Sequence, residues 1–107
     1  MREKKEIPEM VADLGNDSRD MRIAAVKELS AQGEDAVLPL ILAMRQSRSN
    51  DFRWYAALTL ARIGNPAVSP LIRAMKEESN PDFRRFAAAA LGKIGEPAVS
   101  SLLLAMK

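Results

Sequence analysis

The chain has no cysteine and no histidine among its 107 residues. Without cysteine there is no disulfide, thiolate metal site or sulfur nucleophile; without histidine the commonest general base and the commonest metal ligand are missing too. Composition thus excludes most catalytic constellations, and the reading is a non-enzymatic protein with no cofactor. Aromatic residues are scarce at 5%, with Trp54 the single tryptophan. No apolar run approaches the ~20 residues that a bilayer-spanning helix needs. The opening residues MREKKE, Met1 to Glu6, lead into no apolar core or small-residue cleavage site, so no secretory signal is read and cytoplasmic localisation is expected. Neither sign of charge dominates: 16 basic and 14 acidic residues leave +2, without a block of five like charges, which is weak ground for nucleic acid as a partner.

What the chain does have is repetition. DFRWYAALTLARIG, Asp51 to Gly64, returns as DFRRFAAAALGKIG at Asp82 to Gly95. The segment that follows returns with it, NPAVSPLIRAMK at Asn65 to Lys76 becoming EPAVSSLLLAMK at Glu96 to Lys107. A third, more diverged copy, DMRIAAVKELSAQG then EDAVLPLILAMR, begins at Asp20, so Asp20, Asp51 and Asp82 mark a period of 31 residues. Three copies at such a period predict an all-α solenoid, in which each unit buries its apolar face only by stacking on its neighbours. The expected division is a capping half-repeat over 1–17 and repeats over 18–48, 49–79 and 80–107, about seven helices in one domain.

Ile7, Met10, Val11 and Leu14 follow i, i+3, i+4, i+7 spacing and predict one amphipathic helix. Charged residues around it (Arg2, Glu3, Lys4, Lys5, Glu6, Glu9, Asp13) suit the polar outer end of an array. Each repeat then opens on a good N-cap, Ser18, Ser49 or Asn80. Pro81 falls at a first helical position, where its missing N–H costs nothing, and the repeated aspartates complement the helix dipole. Helix A is expected to end at Gly33, Gly64 and Gly95 in the left-handed conformation. Its core stripe reads Met21, Ala25, Leu29, Gln32; then Phe52, Ala56, Leu60, Ile63; then Phe83, Ala87, Leu91, Ile94. Helix B carries Val37, Leu40, Ile41, Met44, repeated as Val68, Leu71, Ile72, Met75 and as Val99, Leu102, Leu103, Met106, again at core spacing. Pro39 and Pro70 leave two options, a helix B that starts near Ser69 and its equivalents or one with a kinked first turn.

Helix pairs with D-x-R early in helix A, AA and then L-x-x-[IQ]-G at its end, and AV-x-P-L-[IL] opening helix B resemble the HEAT-repeat family over Ile7 to Lys107. The short repeats found in phycobilisome-lyase-like HEAT proteins are the nearest variety. The resemblance implies a right-handed α-solenoid, with B helices lining a concave surface and A helices a convex one, and a scaffold for binding proteins. It also implies that Arg22, Arg53 and Arg84, similar to the family's helix A arginine, form a ladder of ion pairs across repeats with acidic groups such as Asp20, Asp51 and Asp82. One branch of that family binds iron through His–Glu pairs, which the absence of histidine excludes here.

Function is therefore sought on the surface. Helix B positions off the core form three rows on the concave side: Leu38, Ser69, Ser100; Leu42, Arg73, Leu104; and Arg45, Lys76, Lys107. Stacked repeats place equivalent residues roughly 10 Å apart, so the basic third row makes a stripe suited to an acidic protein segment, unless it is simply solvated surface. A nucleic-acid-binding HEAT module and a subunit of a phycobilin-lyase-like complex are the alternatives. On helix A, Ile23, Trp54 and Leu58 form a weaker convex candidate patch, set against Trp54 lying flat over the stems of Arg22 or Arg85. Leu102, Leu103 and Leu104 in succession predict that repeat three pairs with a second copy or continues into a longer array.

Overall fold

The computed structural model describes residues 4–105, with side chains up to residue 95. The described residues form six α-helices: α1 (Ile7–Asp13), α2 (Arg19–Gln32), α3 (Val37–Gln46), α4 (Asn50–Ile63), α5 (Val68–Glu77) and α6 (Pro81–Ala105). No strand occurs among them. The A helices α2, α4 and α6 pack side by side in one layer, while α3 packs on α5 in the other and α1 sits against α2 and α3.

The A helices begin where their caps are. Ser18 Oγ accepts from the backbone N–H of Met21 at 3.3 Å, Ser49 Oγ from Phe52 at 3.2 Å, and Asn80 Oδ1 from Asp82 and Phe83 at 2.8 and 3.2 Å. Two of them end on glycines with positive φ, 60° at Gly33 and 86° at Gly64, paired with ψ near −134°. That combination is more extended than the left-handed helical conformation expected and is closed to residues carrying a Cβ. It turns the chain directly into a 3₁₀ turn, Gly33–Ala36 or Asn65–Ala67, whose Ala36 and Ala67 are fully buried. The B helices then start at Val37 and Val68, within one residue of the first of the two sequence options, a start near Ser69 and its equivalents. Pro39 and Pro70 consequently fall at the third helical position, among the first N–H groups that have no intrahelical acceptor, and neither costs a hydrogen bond.

Between the layers, Leu14, Leu29, Leu40, Leu60, Leu71 and Phe83 are fully buried. Each contributes about 1.5–3 kcal/mol of transfer free energy. Ala25, Ala56 and Ala87 are also fully buried and form the small rung of the A stripe. Two expected core residues are exposed. Met21 is 39% exposed, since among the described residues no A helix precedes α2 to cover it, whereas its half-buried equivalent Phe52 lies 3.5 Å from the position of a Cβ on Gly15. Ile72 is 42% exposed while its equivalent Ile41 is 4% exposed; α5 packs on α3, and no separate B helix packs on α5 in turn.

That third B helix is the main departure from expectation. α6 continues through Gly95 and Pro97 to Ala105 rather than reversing at the glycine. Four consecutive alanines at 87–90 favour helix strongly, and the reversals at Gly33 and Gly64 occur where the following A helix clasps the B helix from its far end. The clasp is the repeated arginine, which does not form the expected ion-pair ladder. Arg53, 3% exposed, donates from Nε to the Met44 carbonyl at 3.3 Å, from its terminal nitrogens to Ser47 O, and to Asn50 Oδ1 at 2.8 Å. Arg84 repeats this on Met75 O and Glu78 O, and Arg22 on Asn16 O (2.6 Å) and Asp17 O (3.1 Å). The last carbonyls of a helix have no intrahelical donor and carry the negative end of its dipole, so a guanidinium answers both needs at once. At the amino-terminal end Lys5 bridges Asp13 (3.1 Å) and Glu28 (3.6 Å), tying α1 to α2. The Asp13 hydrogen bond raises its pKa above the ordinary lysine value; partial desolvation opposes this and Glu28 adds to it.

Candidate functional site

On the helix B side, α3 presents Leu38 and Leu42 one turn apart, 68% and 54% exposed. The buried residues of α3 are instead Val37, Leu40, Ile41 and Met44. On α5 the equivalent positions are Ser69 and Arg73, both exposed, and Ile72 and Lys76 complete a shallow cavity of about 250 Å³ with them. The exposed surface is thus apolar on α3 and basic on α5. Arg45 is not a free cation of this face: it faces Glu77 at 3.9 Å. Of the expected basic row Arg45, Lys76, Lys107, Arg45 is thus paired and Lys76 is exposed beside Arg73. Ser100 and Leu104 lie beyond the described side chains, as do Leu102 and Leu103, on which the expected pairing through repeat three rests, and Lys107 lies outside the described residues.

On the helix A side the structure brings Ile23, Trp54 and Leu58 together, around a depression of about 240 Å³ between α2 and α4. Trp54 is 52% exposed and Ile23 38% exposed. The tryptophan does not lie over an arginine stem. Its ring meets Tyr55 edge-on, with centroids 5.0 Å apart and planes at 87°. The arginines stack on the next residue along instead, Arg22 over Tyr55 and Arg85 over Phe86, each 5.2 Å from the ring centroid. A second depression of about 290 Å³ lies on the far side of Trp54, between α4 and α6, floored by Ala57, Leu58, Phe86 and Ala90.

Sequence reasoning missed a larger depression, about 570 Å³, where the α1–α2 and α3–α4 connections meet beneath Trp54. Its polar lining comes from Asn16, Asp17, Ser47 and Ser49. Those residues were legible only as turn formers and caps, and they act as such: Asn16 Oδ1 accepts from the Ser18 N–H at 2.9 Å and Ser47 Oγ from the Ser49 N–H at 3.0 Å. Among the described residues no three acidic side chains cluster as a metal site, and no helix is long and apolar enough to cross a membrane.

These surfaces present exposed aliphatic and aromatic side chains with cations beside them, on a layered set of paired helices. Compared with known proteins, the chain matches the family model of HEAT repeats over residues 38–106. No curated protein and no solved structure matches it. The matched region covers both B helices and the two most similar repeats, where α3, α4, α5 and α6 carry the recurring caps, small rungs and arginine clasps; this chain belongs to the HEAT-repeat family.

Proposed function

We propose that the protein is a non-enzymatic interaction module, one right-handed α-solenoid domain whose α3–α5 face binds a segment of another protein. HEAT repeats commonly mediate protein–protein interaction. The observation that carries the reading is the pair Leu38 and Leu42, a four-residue aliphatic step left 68% and 54% exposed on an otherwise well-packed helix. Exposed aliphatic pairs beside a polar rim mark binding surfaces more often than solvated ones. Ile72 extends the apolar strip, and Arg73 and Lys76 favour acidic groups at its edge. Cytoplasmic localisation belongs to the same proposal.

The test is affinity capture followed by titration. Leu38→Glu with Leu42→Glu should abolish capture of the partner, and Arg73→Glu with Lys76→Glu should weaken it and remove most of its salt dependence. Capture unaffected by either pair refutes the face. If duplex DNA alone binds, with a log–log salt slope of several units, the nucleic-acid reading replaces this one; a bound tetrapyrrole in the captured complex would favour a lyase-type subunit.

A further inference from the structure

The depression between α2 and α4 has a composition that the α3–α5 face lacks. Its floor is Ile23, Val26, Tyr55 and Leu58, and Trp54 stands as its wall. Its only charged lining residues are Arg19, Lys27 and Arg62, with no carboxylate. Among the described residues none of these three cations takes part in an ion pair. Three cations and no carboxylate around one apolar floor give this groove a positive rim.

Their placement is directional. Arg19 begins α2 and Lys27 comes eight residues later, about 12 Å along the axis at 1.5 Å per residue. Arg62 is near the carboxyl end of α4. One cation thus stands at the amino-terminal end of α2, one just past its middle and one near the carboxyl end of α4, beside the apolar floor. α2 and α4, each of 14 residues, give the groove a length of about 21 Å. An added helix packing 8–10 Å from both axes would lay one apolar stripe on that floor and carry its polar flanks to the cations.

We infer that the α2–α4 groove is a second interaction surface, which takes an amphipathic helix of a partner protein with acidic residues flanking its apolar stripe. The surface is separate from the α3–α5 face, on the opposite layer, and does not depend on the function proposed for that face. Trp54 is its central anchor: a large, half-exposed ring already oriented by Tyr55 loses little freedom on being covered, as is typical of residues that dominate interface energetics. The three cations select the sign of the partner.

The experiment uses the full chain and two synthetic peptides of about 14 residues that share one apolar stripe and differ only in flanks, glutamate in one and lysine in the other. Trp54 is the only tryptophan and also borders the two neighbouring depressions, so its emission reports binding beside it, and a charge reversal at Lys27 and Arg62, which line this groove alone, assigns that binding to it. The glutamate peptide should move that emission to shorter wavelength in a saturable way, and the lysine peptide should bind at least about tenfold more weakly, since like charges brought together at an interface are penalised. Lys27→Glu with Arg62→Glu, both exposed in the protein, should invert the preference; Leu58→Glu should remove binding of both peptides. Leu38→Glu with Leu42→Glu should change nothing, which separates failure here from failure of the α3–α5 reading. The inference is overturned if neither peptide shifts the emission, if both bind equally, if the double reversal leaves the preference intact, or if a mixed-sequence single-stranded oligonucleotide saturates the shift and the glutamate peptide does not.

Discussion

Replacing Arg53 by methionine isolates the energetic weight of the carbonyl clasp, because the protein contains its own control in Arg84. Both arginines reach the last carbonyls of the preceding B helix at the same sequence offset, Arg53 to Met44 O and Arg84 to Met75 O. Two things differ: Arg53 is 3% exposed and also reaches Asn50 Oδ1, whereas Arg84 is exposed and reaches the two carbonyls alone. In Arg53→Met the carbonyls of Met44 and Ser47 lose charged donors at a buried helix end, at about 1.5–3 kcal/mol per bond. Relief of the guanidinium's own desolvation offsets part of this, and water can replace the bond to exposed Asn50. The net is a loss of about 3 kcal/mol. In Arg84→Met water takes over both carbonyls, and what remains is the interaction of a surface cation with the helix dipole, about 0.3–1 kcal/mol. Urea unfolding followed at 222 nm should therefore separate the two variants by roughly 2 kcal/mol, and thermal unfolding by roughly 10 °C at a few degrees per kcal/mol. Arg53→Lys should recover only part of the loss, since an ammonium cannot span two carbonyls and an amide as a fork does. Equal losses in the two methionine variants, or full recovery by lysine, would refute the reasoning.

Other outcomes follow from single positions. Ala56→Leu puts a larger side chain on a fully buried rung and should cost about 1–3 kcal/mol by the same urea measurement. Ser49→Ala removes the acceptor for the Phe52 N–H and should cost about 1 kcal/mol, with Ser49→Asp restoring it. Gly64→Ala should destabilise by about 1–2 kcal/mol through its φ of 86°, even though the space around it is open. Gly95→Ala, inside α6, should instead stabilise by about 0.5–1 kcal/mol; a loss matching that of Gly64→Ala would show that the third repeat reverses as the first two do.

Much of the fold was legible because it is local. Ser18, Ser49 and Asn80 announced the A helices, and the i, i+3, i+4, i+7 spacing placed Leu40, Leu60 and Leu71 in the core. What was not legible depends on neighbours. Ile41 and Ile72 are equivalent in sequence and opposite in exposure, since whether an isoleucine is covered depends on which helix packs over it. Gly64 and Gly95 stand in nearly the same local sequence, yet one turns the chain and the other lies within a helix. The arginines were misassigned because aspartates two residues away suggested an ionic partner, while the true acceptors were backbone carbonyls, which sequence patterns do not display. Of the candidate surfaces, Leu38, Leu42, Ile23 and Trp54 were readable as apolar residues off the core stripe. The pairing of Arg45 with Glu77 and the unopposed cations beside Trp54 were not, since both arise from contacts between helices.

The clasp also gives the array a direction in time. A B helix is finished only when the A helix after it arrives with its arginine, so each repeat completes its predecessor and none completes itself. During synthesis α3 would remain frayed at its carboxyl end until Arg53 has emerged, and α5 until Arg84 has, so order would spread from the amino terminus in steps of one repeat. Removing α6 should then loosen the end of α5 and leave α3 closed, a vectorial dependence that hydrogen exchange at the amides of Met75 to Glu78 and of Met44 to Ser47 would resolve.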